Sequence, residues 1–309
     1  RSTLFPYTTL FRSRDIDETL AVDADEDIVS ESATVTSENF KEYFDDAGSL
    51  RDNVTADELV FEGNFKDVSI DVSRAITLTG KDAVLDQGVI SISGANVTVS
   101  GFTINQNNWS CAIFVFDAPD ATVSDNVINF NDSGAPDTFA VGVYDSNNFK
   151  LINNEINYIG ATNGTFVNNR LIVKNSNTSE IKGNKFKISL VSVPVYWDEY
   201  WVGHPKSEGI VVDSSNNVIF DENDVDVTYN SVSGSYDTIY AIDFKNSNNA
   251  LIGGNVIKAV GYSYIYGILI NGNNFIITSN NITSEGDYYA NGIDVEGPAT
   301  GVLHANNID

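Results

Sequence analysis

Apolar residues along most of this chain recur in short alternating runs broken by small polar turns, and the runs return in a fixed order. From Gly209 to Val225 the sequence reads GIVVDSSNNVIFDENDV: an alternating pair, Ile210 and Val212, a Ser-Asn-Asn turn, a second apolar run, Asn223, and a third run opening at Val225. The same phrase returns as AIDFKNSNNALIGGNVI from Ala241, GILINGNNFIITSNNI from Gly267 and GIDVEGPATGVLHANNI from Gly292. Upstream it stands as AIFVFDAPDATVSDNVI from Ala112 and VGVYDSNNFKLINNEI from Val141. The runs lack helical spacing, so each repeat predicts three short strands, a β-coil. One coil cannot bury its inward side chains alone, and neighbours must stack at roughly 4.8 Å per rung.

The repeat frame assigns the inward columns. Ile113, Val141, Leu171, Ile210, Ile242, Ile268 and Ile293 form one on the first strand, with Val115, Val143, Val173, Val212, Phe244, Ile270 and Val295 beside it. Val123, Leu151, Ile181, Phe220, Ile252, Ile277 and Leu303 belong to the second strand. Ile128, Ile156, Phe186, Val225, Ile257, Ile282 and Ile308 belong to the third. One asparagine keeps register between strands two and three: Asn126, Asn154, Asn184, Asn223, Asn255, Asn280 and Asn306, at intervals of 28, 30, 39, 32, 25 and 26. Asparagine tolerates left-handed backbone angles, and its amide both donates and accepts. A column of it at rung spacing satisfies turn groups and neighbouring amides together, so these residues read as scaffold.

The motifs resemble the right-handed parallel β-helix, the pectin-lyase-like fold with NosD-type repeats, over roughly residues 58–309. The implied class is all-β, a right-handed single-stranded parallel β-helix with three-strand rungs and an Asn ladder. At the front, Thr3 to Ser13 reads TLFPYTTLFRS, the translation in one frame of a common short-read sequencing adapter. Residues 1–13 are therefore expected to be a scar, with any signal peptide lost behind them. Residues 14–36, rich in Asp and Glu, read as a disordered acidic leader. Residues 37–57 carry a predicted capping helix and linker: Ser37 as N-cap, Phe40, Tyr43 and Phe44 on one face, Gly48 as stop, giving a helix over about 38–47 laid across the open first rung. The chain ends directly after the third strand of a rung, which reads as a fragment of a longer protein.

Composition narrows the partners. With 17 basic and 43 acidic residues the formal charge is -26, which disfavours nucleic acid and anionic membrane surfaces as partners. The acidity suits a solvated extracellular surface and can hold loosely bound calcium; no cofactor is implied. No apolar run is long enough to cross a membrane. A single cysteine, Cys111, excludes an intramolecular disulfide framework and reads as a buried small hydrophobe. Asn-x-Ser/Thr triplets at Asn53, Asn96, Asn108, Asn131, Asn163, Asn177 and Asn281 fit an exported protein.

Chemistry concentrates in two places. Insertions fall between strand three and strand one, over residues 189–208, 227–238, 258–266 and 283–291, and they carry Tyr196, Trp197, Tyr200, Trp201, Tyr236 and Tyr264, with Tyr240 just past the second. Flat rings flanked by Asp198, Glu199, Glu208, Asp237 and Asp287 suit the apolar faces and hydroxyl rims of sugars; the alternative is rings packed on one another as a satellite core. Beside them, the outward column of strand one reads Phe116, Tyr144, Lys174, Asp213, Lys245, Asn271 and Glu296. Lys174, Asp213 and Lys245 form either a charge ladder or a catalytic set, in which a lysine takes the proton alpha to a uronate carboxylate.

In the lyases and hydrolases of this fold, resemblance places the site on that strand. The hydrolase branch carries Gly-His-Gly and paired aspartates, whereas the histidines here are His204 in Gly-His-Pro and His304 in Leu-His-Ala. His204, in the aromatic loop, is the one retained as a catalytic candidate; His304 is expected at the surface. The particulars AITLTGKDAVLD from Ala75 and ISGANVTVSGFTI from Ile92 resemble adhesin-like cell-surface proteins of methanogenic archaea. That resemblance implies a non-catalytic surface module contacting a glycan, another cell or a protein. A polysaccharide lyase or hydrolase and a purely structural spacer stay open beside it.

Overall fold

Alternation at period two turns every second side chain inward, and the chain coils so that equivalent strands pair side by side. The computed structural model describes residues 31–107, 111–132, 138–163, 169–193, 196–197, 200–201, 206–230, 238–262 and 264–309. They form a right-handed parallel β-helix. Nine first-strand segments, from Ser69–Val72 to Tyr289–Val295, make one all-parallel sheet. The second- and third-strand segments join in a single 19-stranded sheet, because early strands such as Glu58–Lys66 and Thr77–Asp86 run through both positions.

The register is the one the sequence dictates. Ile113, Val141, Leu171, Ile210, Ile242, Ile268 and Ile293 are successive partners. So are the second-strand residues from Val123 to Leu303 and the third-strand residues from Ile128 to Ile308. These columns are buried throughout, except in the last rung, where Leu303 and Ile308 are each 52% exposed because a neighbour covers them on one side only. Cys111 is buried.

The asparagine column is a continuous hydrogen-bonded wire. From Asn126 to Asn306 each Nδ2 donates to the next Oδ1 at 2.8–3.1 Å. The same oxygens accept the backbone N–H of the preceding rung's asparagine, as Asn184 Oδ1 does from Asn154 at 2.9 Å. Each Nδ2 also reaches a second-strand carbonyl, as Asn184 does to Leu151 at 2.7 Å. One expectation is corrected here. The left-handed residue is the one before the ladder asparagine: Asp125, Asn153, Gly183, Glu222, Gly254, Ser279 and Ala305 take φ of 53–66°. That bend turns the asparagine amide inward, where it is about 1% exposed at all positions from Asn126 to Asn280.

A second column escaped the sequence reading. At the turn between strands one and two, Ser146, Ser176, Ser215 and Ser247 are all fully buried. Each Oγ accepts the backbone N–H of the previous rung's turn, for instance Ser146 N to Ser176 Oγ at 3.0 Å.

The front differs from expectation in two ways. Ser32–Val35, placed in the acidic leader, is a strand pairing in parallel with Glu58–Phe61 and burying Val35. The helix is one turn, Phe40–Tyr43, rather than 38–47. Asn39, not Ser37, occupies the N-cap, with its Oδ1 held by the Thr36 N–H. Asp45 ends the helix because its Oδ1 takes the N–H groups of Ala47 and Ser49, an alternative to the helical ladder. Phe44 is nonetheless fully buried, stacked on Phe40 at 4.7 Å and lying 6.0 Å from Phe61. Aromatic rings close that end of the core. This four-residue turn is the sole helix among the described residues, and none there is long and apolar enough to cross a membrane.

Asn184→Ala removes the acceptor of two Asn154 N–H groups and the donor to Leu151 O. At about 1–3 kcal/mol for each buried group left unpaired, a loss of about 3 kcal/mol is expected in denaturant unfolding. Lys185→Ala, one residue on and exposed, is expected to leave the midpoint in place.

Candidate functional site

Strand one presents three adjacent outward columns. The first carries Glu208, Tyr240, Tyr266 and Asn291, the second Val211, Asp243, Leu269 and Asp294. The third carries Phe116, Tyr144, Lys174, Asp213, Lys245 and Asn271, in the predicted register.

Within this face the charges regroup. Lys174 Nζ stands 3.7 Å from Asp213 Oδ2. Lys245 turns away from its register partner: Nζ donates to both Glu208 oxygens at 2.7 Å and lies 3.6 Å from Asp243 Oδ2. The Glu208 and Asp243 side chains are 0% and 1% exposed, against 33% for Lys245. Lys245 thus points at Glu208 and Asp243 instead of along its own column toward Asp213. Glu208 was placed among the loop carboxylates; the role of Asp243 was missed. Its signal was present, an aspartate set between Val211 and Leu269 in an outward column that also carries Phe114, Gly142 and Ile172, with Asp294 at its far end.

Aromatic groups flank the charged middle on both sides. Toward the front, Phe114 lies 6.3 Å from Phe116, 6.2 Å from Phe139 and 5.8 Å from Tyr144. Gly142 makes this possible, since a Cβ there would meet the Phe139 ring at 2.3 Å. Toward the rear, Tyr240 stacks on Tyr266 at 4.9 Å and Tyr266 meets Tyr289 at 5.8 Å. Tyr264 packs between Tyr288 and Tyr289 at 6.4 and 6.3 Å. Burial, and next the nearby Asp294 carboxylate, push the Tyr266 hydroxyl above the usual tyrosine range. The tyrosines thus pack as a row whose last rings, Tyr288 and Tyr289, remain 50% and 47% exposed; Phe116 is 48% exposed.

Of the remaining candidates, Tyr196–Trp197 and Tyr200–Trp201 form the two strands of a small antiparallel hairpin. His204 and Tyr236 lie outside the described residues. His304 is exposed, as expected, on the strand Thr300–His304. The segments 258–266 and 283–291 are mostly strand rather than loop, since Val256–Gly261, Tyr264–Asn271, Asn281–Gly286 and Tyr289–Val295 leave short turns between them. Among the described residues no group of three His, Cys, Asp or Glu is placed to hold a metal ion.

A polar group inside the coil was also missed. Arg170 is fully buried, with Cζ 4.2 Å from the centre of the Tyr158 ring, and Tyr158 donates to Asp132 Oδ2 at 2.6 Å. Burial lowers the Arg170 pKa and raises that of Tyr158. Arg170 directly precedes the inward Leu171, and nothing in its neighbours marks it as interior. With no exposed surface, it serves the scaffold.

No protein-family model matches the chain, and no curated protein sequence does. Among solved structures it is similar to the Dettilon tailspike protein, with TM-score 0.50 and 12% identity over 81% of this chain and 56% of that one. This chain thus spans little more than half of the tailspike's length. It is also similar to a mutant of the periplasmic alginate epimerase AlgG, with TM-score 0.46 and 11% identity over 89% of this chain and 84% of that one. A pectate lyase from a Bacillus species, in complex with trigalacturonate, gives TM-score 0.36 and 12% identity over 90% and 81%. At such identities the tailspike likeness shows the fold alone, the right-handed parallel β-helix.

Lys245→Ala breaks a buried ion cluster, so it is expected to cost about 3–5 kcal/mol of stability. Lys174→Ala breaks a pair whose side chains are 43% and 22% exposed and is expected to cost about 0–1 kcal/mol. Urea unfolding of both variants checks the contrast.

Proposed function

We propose that this protein binds carbohydrate along the outward face of strand one, as an exported cell-surface module of the adhesin-like kind its sequence resembles. The observation that carries this is the order of groups along that face: a charged middle between two aromatic clusters, each ending on half-exposed rings, Phe116 at one end and Tyr288 and Tyr289 at the other. Ring faces take the apolar side of a sugar, while carboxylates and ammonium groups take its hydroxyls. The parallel rungs hold these groups rigidly, which lowers the entropic cost of binding an extended chain. The acidic surface and the exposed Asn-x-Ser/Thr sites Asn53 and Asn96 fit an extracellular setting.

Turnover of a polysaccharide is the second reading, and Lys174 with Asp213 favours it, since both stay partly exposed on adjacent rungs. Binding is preferred because the denser charge cluster is closed: the Glu208 and Asp243 side chains are buried out of reach of a polymer, and Lys245 Nζ is turned onto them. A general acid or base must reach the proton it moves.

The test is retention on immobilised polysaccharides, uronates included, with and without calcium, together with the chain length of each polysaccharide after incubation. Chain length is expected to stay unchanged. Phe116→Ala and Tyr289→Ala are each expected to weaken retention about tenfold without moving the melting temperature, as loss of a ring worth about 1.4 kcal/mol would. Shortened chains, with shortening lost in Lys174→Ala, would establish turnover instead. Trp197→Ala with Trp201→Ala reports whether the hairpin shares the contact.

A further inference from the structure

The outward face of strand three carries a second constellation, separate from strand one. One register column there reads Asp86, Asn105, Asn129, Asn157, Lys187 and Asp226 on six consecutive rungs. Beside it run Asn131, Ile159, Ser189 and Thr228. Two cavities of about 350 and 390 Å³ lie along these columns and share Asn157 and Ile159, so they form one trough parallel to the axis. Five rung steps at roughly 4.8 Å give it a length of about 24 Å.

We propose that this trough binds a neutral linear polysaccharide, laid along the axis with its hydroxyl groups on the amide column. The amides are linked yet not saturated. Asn129 Nδ2 donates to Asn105 Oδ1 at 2.9 Å and Asn157 Nδ2 to Asn129 Oδ1 at 3.0 Å. An asparagine has two N–H donors and two acceptor positions, so Asn129 keeps one of each for a ligand, and its linked neighbours fix their direction. Asn157 Nδ2 also donates to Glu155 Oε1 at 3.3 Å, so the free donors are those of Asn105 and Asn129, while the amide acceptors repeat on all three rungs and match a ligand that repeats along its length, as a sugar polymer does. Ile159, 58% exposed at the centre of the trough, offers an apolar seat among these polar groups. Charge within the trough runs against a polyanion: Asp86 and Asp226 stand at its two ends, each in register with a lysine on the next rung outside it, Lys66 and Lys258, and Lys187 already lies 3.6 Å from Glu155. The exposed aromatic rings of the strand-one edge belong to other columns, so this site stands or falls independently of that one.

Calorimetric titration of the full chain with cellohexaose and mannohexaose, with hexagalacturonate as the charged comparison, tests this. At least one neutral hexasaccharide is expected to bind, more tightly than its trisaccharide and more tightly than hexagalacturonate. Ile159→Asp is expected to weaken that binding at least tenfold with an unchanged melting temperature. Should Ile159→Asp lower the melting temperature, Ile159→Ser is the substitute, with a smaller loss in the same direction. Tyr288→Ala with Tyr289→Ala is expected to leave it intact. Loss of binding in the tyrosine variant with none in Ile159→Asp would assign the sugar to strand one and overturn the trough. No binding of either neutral hexasaccharide would overturn it as well.

Discussion

A β-solenoid must bend its chain at every corner, and each bend leaves backbone polar groups that face the core instead of water. A buried donor or acceptor without a partner costs about 1–3 kcal/mol, and a rung has several. Everything else in this molecule depends on how those groups are paired. Between strands two and three the pairing comes from a side-chain amide, which replaces the missing backbone partner and also links one rung to the next. At the next corner a serine hydroxyl performs the same service in less space. The residue before each ladder asparagine adopts a left-handed conformation, and residues as unlike as Glu222, Ala305 and Gly254 accept it there. The bond network, not local preference, sets that angle.

Because the rungs must align to share these bonds, side chains on every outer face are brought into straight columns. A repeat that looks purely structural therefore also spaces surface chemistry at a constant interval. Aromatic rings, charges and amides each occupy separate columns, and the rigid sheet beneath keeps them from adapting independently. Such a surface suits extended, periodic ligands better than compact ones.

The ion cluster around Lys245 carries a different lesson. Burying two carboxylates is unfavourable unless a cation with good geometry lies against them, and here the Lys245 ammonium lies against both. The Arg170–Tyr158–Asp132 group is the converse case, a guanidinium inside the coil whose nitrogens lack hydrogen-bond partners among the described residues and which rests on a ring face, with a carboxylate on that ring's hydroxyl. The first cluster links neighbouring rungs within strand one, and the second joins strand one to strand three.

The coil, its inward columns, the asparagine wire and the outward order Phe116, Tyr144, Lys174, Asp213, Lys245 are legible in the chain, because a fixed repeat frame at period two leaves one register that buries the apolar set. Which charges meet is settled by the stacking of the rungs. Lys245 lies in register with Asp213, yet its long side chain reaches a deeper pair of carboxylates, and burial rather than register chooses the partner. The same holds for the serine column and for Arg170, whose interior positions follow from corner geometry that alternation does not encode. At the front, the helix stopped at Tyr43 because the Asp45 side chain captured two backbone N–H groups, a local competition that helical periodicity alone does not weigh. Periodic order is written in the chain; the meeting of charges across rungs exists only once the rungs are stacked.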